Sequence, residues 1–165
     1  ARWVHTLSVL LMAVPGLVLG LSFVLAFKGT ALYGTVWILI LAGVLHFFTT
    51  PYNLLYQSLQ KLSSELESVG STLGIPPLRL IFDVLLLQCT GTLADMAAYF
   101  FVSSTVTISA AAFLSTASTR PLALLVVQYS DQLNLSGAAY LSFLILAVNL
   151  LARAAAALVR RLVRR

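Results

Sequence analysis

Charge is what this sequence has least of. Asp, Glu, Lys and Arg make up 9% of its 165 residues, where a soluble domain carries about a quarter. Hydrophobic residues make up 60%, and a chain this short cannot hide that much apolar surface from water. A soluble fold is excluded, and lipid is the expected solvent. Cysteine is as scarce: Cys89 stands alone, which excludes an internal disulfide. The only histidines, His5 and His46, fall in different runs, and no spacing suits a metal. The stretch "GSTLGIPP" (70–77) lacks the Gly-Lys-Ser/Thr of a phosphate-binding loop, so no ATPase is expected in this chain. Glu65 and Glu67 lie on the solvated face of an expected helix, the wrong setting for a catalytic carboxylate pair. No covalent chemistry and no cofactor are expected. The net charge of +5 does not form a nucleic-acid stripe, because the basic residues sit between and after hydrophobic runs. The chain starts at Ala1 with no visible signal-peptide cleavage site, as a piece of a longer protein would.

Long apolar runs are what the sequence does have. A membrane-crossing helix needs about 20 apolar residues. Four runs approach that length: Leu7 to Phe27, Leu32 to Phe48, Leu93 to Leu114 and Ala138 to Leu158. The fold class that follows is an all-α, polytopic transmembrane helix bundle. Four spans place the start, the middle loop and the end of the chain on one side. That side holds eight basic residues, Arg2, Lys61, Arg79, Arg153, Arg160, Arg161, Arg164 and Arg165, against two on the other, Lys28 and Arg120. The richer side is the cytoplasmic one by the positive-inside rule. Within the outward loop Ser115 to Ser136, "PLALLVVQY" is too short to span; it is expected to lie in the interface or re-enter the membrane.

The polar middle segment has its own pattern. Thr50-Pro51 reads as a helix start, a hydroxyl cap followed by proline at the first helical position. Leu55, Leu59, Leu62, Leu66, Val69 and Leu73 then recur at steps of four and three, a narrow apolar stripe on one helix. Gln57, Gln60, Lys61, Ser64, Glu65 and Glu67 fill the other faces. Gly74 is the expected helix stop. Pro76 and Pro77 end any continuation and open a second short helix, "PPLRLIFDVLLL". An amphipathic helix resting on lipid headgroups and a docking element for a cytoplasmic partner both fit this pattern.

"ELESVGSTLGIPPLRLIFDVLLL" resembles the EAA loop of binding-protein-dependent ABC transporter permeases. On that resemblance Glu67 and Ser68 fall on the family's acidic pair, Val69 and Gly70 on its two alanines, Gly74 on its most characteristic glycine, and Val84 to Leu87 on its closing Val-x-Leu-Pro. Ser68, Val69, Gly70 and Leu87 depart from the family residues. The flanks "VPGLVLGLSFVLAF", "LYGTVWILILAGVLHFFTTPYNLL" and "MAAYFFVSSTVTISAAAFL" are similar to the iron(III), thiamine and 2-aminoethylphosphonate importer subgroup. The resemblance implies the last four helices of a type I permease unit, with a coupling loop over about residues 50–84. It implies Glu67, Ser68, Val69, Gly70, Gly74, Pro76 and Pro77 as the coupling residues. The implied partners are ATP-binding ATPase subunits, an extracytoplasmic solute-binding protein and a second permease unit, fused or separate. The implied location is the bacterial inner membrane, in contact with lipid, and the implied cargo is a phosphonate or iron(III).

Other residues keep other readings open. Asp95 opens the third run, where an ionisable group is either a helix-start residue or part of a transport path. Ser104 and Thr107 belong to the hydroxyl-rich stretch "SSTVTIS"; they either hydrogen-bond between helices or line that path. Two rival classes remain at this level. One is a structural or haem-anchoring membrane subunit, with His46 as the ligand. The other is a proton-coupled secondary transporter built on Asp95. Pro15, Gly16 and Gly20 are expected to kink the first run and allow close packing.

Overall fold

The computed structural model describes residues 6, 8, 10, 12–60, 72, 74–76 and 89–163. Over the described residues the chain is helix and turn, without a strand. The helices are α1 (Gly16–Phe27), α2 (Val36–Phe47), α3 (Thr49–Gln60), α4 (Thr90–Val106), α5 (Ala111–Leu114), α6 (Leu122–Asp131) and α7 (Leu135–Val163). Among the described residues, only α7 is a single helix of membrane-crossing length and apolarity, over Leu135–Leu162. The other three runs are broken, and each break has a cause in the sequence.

In the first run the helical backbone bends at Val14 and resumes after Pro15, whose ring cannot continue a helix laid down before it. In the second, α2 and α3 meet at an angle of 55°. Phe48 between them keeps helical angles, so the chain bends without unwinding. Pro51 is responsible: it has no N–H for the Phe47 carbonyl one turn back, and its ring crowds that carbonyl. The expected start at Thr50-Pro51 is therefore corrected, since α3 begins at Thr49 and Pro51 is its third residue. The Thr49 hydroxyl does not cap α3; it donates to the backbone carbonyl of Ser8. In the third run α4 stops at Val106, and Thr107 is extended. Four β-branched residues in a row, Thr105 to Ile108, crowd the helical backbone here, and the Thr105 hydroxyl bonds back to the Phe101 carbonyl.

The broken helices pack around one another. The core joins Leu19 of α1, Ile38 and Ala42 of α2, Ala110, and Leu114 of α5. Two glycines one turn apart on α1 permit it. A Cβ on Gly20 would stand 2.9 Å from the Ala110 carbonyl oxygen and 3.0 Å from its Cα. A Cβ on Gly16 would collide with the Ser109 hydroxyl. The turn that interrupts the third run thus beds directly on α1, as small residues allow in membrane bundles. Elsewhere large apolar side chains point outward, including Leu25, Trp37 and Phe143, each more than two-thirds exposed, as suits a surface that meets hydrocarbon.

The segment "PLALLVVQY" forms most of α6, which packs on α7. Leu133, in the left-handed region at φ 58°, ends α6. The N–H of Asn134 bonds the Tyr129 carbonyl and that of Leu133 the Ser130 carbonyl, the two bonds of a Schellman stop. Asn134 then opens α7, its Oδ1 accepting from the Gly137 N–H at 3.0 Å. This cap sets the start of α7 three residues before the expected Ala138. At the far end Arg160 and Arg161 occupy the last turn, where the helix dipole favours cations.

Candidate functional site

Predicted site residues fall at two places in the described bundle: its base, where Asp95 stands, and a cavity between α2 and α4, lined by Ser104 and Thr107. At the base, the Ser58 and Thr92 hydroxyls are 2.7 Å apart, so the end of α3 and the start of α4 stand side by side. Gln60, the last described residue of α3, and Thr90, the first of α4, therefore lie near this contact. The end of α7 arrives at the same place. Arg160 Nη1 lies 3.1 Å from Asp95 Oδ2, an ion pair across α7 and α4. The Arg160 stem crosses Gly91, its Cγ 3.4 Å from where a glycine Cβ would stand. A ladder of stacked rings, Phe48, Tyr52 and Tyr56, runs along α3 with centroids 5.9 and 6.0 Å apart. Aromatic side chains of this kind concentrate at membrane–water interfaces.

The opposite end of the bundle carries Lys28 and Arg120. Gly34 of the α1–α2 turn approaches Thr116 of the segment after α5, a Cβ there being 3.1 Å from the Thr116 methyl. The loops with Lys28 and Arg120 thus share one end, and Arg160 and Arg161 lie at the other. For these four residues the ends agree with the partition read from the sequence; Arg2, Lys61, Arg79, Arg164 and Arg165 lie outside the described residues.

Of the expected coupling residues, Gly74 and Pro76 are described, and both are exposed. Gly74 is in a turn at φ 69°, a left-handed conformation that glycine adopts without cost, and Thr72 before it is helical. Glu67, Ser68, Val69, Gly70 and Pro77 lie outside the described residues, as do Leu62, Leu66, Val69 and Leu73 of the apolar stripe and most of the second short helix. Of the stripe, Leu55 is half-buried and Leu59 exposed.

The cavity has a volume of about 460 Å³ and opens between α2 and α4, with Ala110, Ala111 and Pro121 at one end. Ser104 and Thr107 both line it, on walls otherwise made mostly of apolar and aromatic side chains. Ser104 lies opposite Gly43, 3.3 Å from where a Cβ would stand, so the glycine sets how closely α2 and α4 approach. His46 lines the cavity as well, with its Nδ1 buried and without a hydrogen-bond partner. Asp95 is not among the lining residues; it stands at the base with Arg160. Among the described residues no group of His, Cys, Asp and Glu could hold a metal ion.

Sequence reasoning singled out Asp95 without its partner, and missed Ser58, Thr92 and Gly91. The i, i+4 spacing of Gly91 and Asp95 puts a small residue and an acid on one face of α4, a place for a long cation. Nothing local points to Arg160, 65 positions away.

The Fe(3+)-transport system permease protein FbpB 2 of Haemophilus influenzae is 38% identical over 77 residues, which is 46% of this chain and 15% of that protein. The match thus spans a small part of the relative's length. No solved structure matches the chain. Residues 1–165 throughout match the family described as binding-protein-dependent transport system inner membrane component, and the chain belongs to that family, as a multi-pass protein of the inner membrane.

Proposed function

We propose that the chain is part of the permease of an ATP-driven importer, coupled to a separate ATPase subunit through residues 61–88 and carrying iron(III) delivered by an extracytoplasmic binding protein. The observation that carries this reading is the convergence at the base. α3, which precedes the polar segment in the chain, and α4, which follows it, meet beside the basic end of α7, the cytoplasmic end by the positive-inside rule. A segment joined in the chain to both helices can pass a push into α3 and α4 together. Gly70 and Gly74 permit close backbone approach to a partner. The cavity with Ser104 and Thr107 supplies part of the path wall. Iron(III) is favoured over a phosphonate by the iron(III) permease among the relatives. A second permease unit, fused or separate, completes the path.

The test is uptake into proteoliposomes holding the full permease and its ATPase, with the binding protein outside and ATP within. Iron(III) should enter only with ATP, unaffected by a protonophore, and excess 2-aminoethylphosphonate should not compete. Uptake driven by a proton gradient without ATP would support the secondary-transporter reading instead.

A further inference from the structure

Asp95, Arg160, Gly91, Ser58 and Thr92 are accounted for neither by the cavity nor by the docking surface. They occupy one level of the bundle. Ser58 is two positions before Gln60, the last described residue of α3, Thr92 is the third residue of α4, and Arg160 is in the last turn of α7. The hydroxyl pair ties α3 to α4, and the ion pair ties α4 to α7. The Arg160 stem passes Gly91, where a Cβ would be in ordinary van der Waals contact with it, before its guanidinium reaches Asp95.

From this geometry we infer that the five residues form a joint, through which a displacement of the middle segment reaches α7, the one unbroken membrane-length helix described. The inference rests on the reading that residues 61–88 engage the ATPase, and it assigns these residues a positioning role in the coupling. The physical reason lies in what else holds this end. α4 packs against α7 and also touches α6, and the hydroxyl pair brings α3 into the same unit at the base. The bend at Phe48 sets α3 apart from α2, so a displacement of α3 reaches the far end of the bundle through α4 and the 29-residue α7 rather than through α2. Asp95 and Arg160 are 36% and 45% exposed, so the pair contributes little to overall stability. Its loss is therefore expected to appear in coupling before it appears in folding.

The experiment uses the full permease with its ATPase subunit. Asp95→Asn and Arg160→Gln should each leave protein level, ATPase association and ATP hydrolysis near wild type while uptake per ATP falls severalfold. Exchanging the charges, Asp95→Arg with Arg160→Asp, keeps the total reach of the two side chains and should restore the ratio. Ser58→Cys with Thr92→Cys in a Cys89→Ser background should form a disulfide that leaves uptake intact, because the two ends move as one body. The joint is overturned if the single variants keep normal uptake per ATP, or if hydrolysis and uptake fall in proportion with protein level. It is overturned as well if the exchange fails to restore coupling, or if the disulfide stops transport that the reduced variant performs. The underlying docking reading fails separately. Gly70→Glu, which leaves the joint untouched, would then keep normal ATPase association.

Discussion

Replacing Gly20 with alanine should loosen the bundle where α1 meets the turn after α4, and a control at Gly16 shows why. The added methyl at residue 20 would stand 2.9 and 3.0 Å from backbone atoms of Ala110, closer than carbon can approach, and backbone cannot rotate aside. Overpacking of this kind costs about 1–3 kcal/mol. Alanine returns roughly 1 kcal/mol through its better helix propensity. The net loss is thus expected at about 1 kcal/mol, or about 2–4 °C in melting temperature for a chain of this size. At Gly16 the obstruction is the Ser109 side chain, its hydroxyl and its Cβ, with His46 Nε2 at 3.2 Å. Gly16→Ala should therefore be rescued by Ser109→Gly, whereas Gly20→Ala should not be rescued by Ala110→Gly, because the clash there is with Ala110 backbone. Cys89, 2% exposed and the only cysteine of the chain, provides the assay, through a thiol-reactive dye that fluoresces as it is uncovered on heating. Wild-type melting of Gly20→Ala, or its recovery by Ala110→Gly, would refute the close approach of α1 to this turn.

Leu133→Gly should stabilise the protein by up to about 1 kcal/mol. Leucine pays roughly 1–2 kcal/mol in the left-handed region, glycine gives back 0.5–1 kcal/mol in unfolded-state entropy, and the side chain is 86% exposed with little packing to lose. A lower melting temperature would mean that the Leu133 side chain has a partner of its own. At Gly74, where a Cβ would meet open space but φ is 69°, Gly74→Asn should be tolerated better than Gly74→Val, since asparagine enters the left-handed region more readily. Equal effects on ATPase association would show that bulk, not backbone angle, matters there. In a Cys89→Ser background, a cysteine at Ser64 should react with an impermeant thiol reagent only from the cytoplasm, and one at Ser118 only from outside. The reverse pattern would invert the topology.

How far the sequence reaches depends on which contacts are local. The membrane setting, the four apolar runs and the sides of the basic residues are sums over many positions, so single exceptions do not disturb them. The breaks were partly legible: Pro15 was read as a kink, but Pro51 was taken for a helix start, because proline in a first turn and proline one turn past a bend look alike in one dimension. The interruption after Val106 was hidden by apolarity. Hydropathy continues through Ile108 to Leu114 although the β-branched cluster there weakens the helix, so one long span was expected where α4 and α5 are separate. At the candidate site, Ser104 and Thr107 line one cavity, which needs the packing of α2 against α4 and is not written in the hydroxyl-rich stretch itself. Asp95 was read as either a helix-start residue or part of a transport path; it stands near the start of α4, and its partner Arg160 is one no local pattern announces. The docking residues were read by resemblance rather than from spacing, and most of them fall outside the described residues.

The proposed coupling turns on residues 61–88 meeting the ATPase. A photo-crosslinking amino acid placed at Gly70 of the full permease, co-expressed with its ATPase subunit, tests that contact directly. The ATPase should be captured from position 70 and not from position 118, with capture changing when ATP is added. Capture from position 118, or none from position 70 in a complex that still hydrolyses ATP and transports, would contradict it.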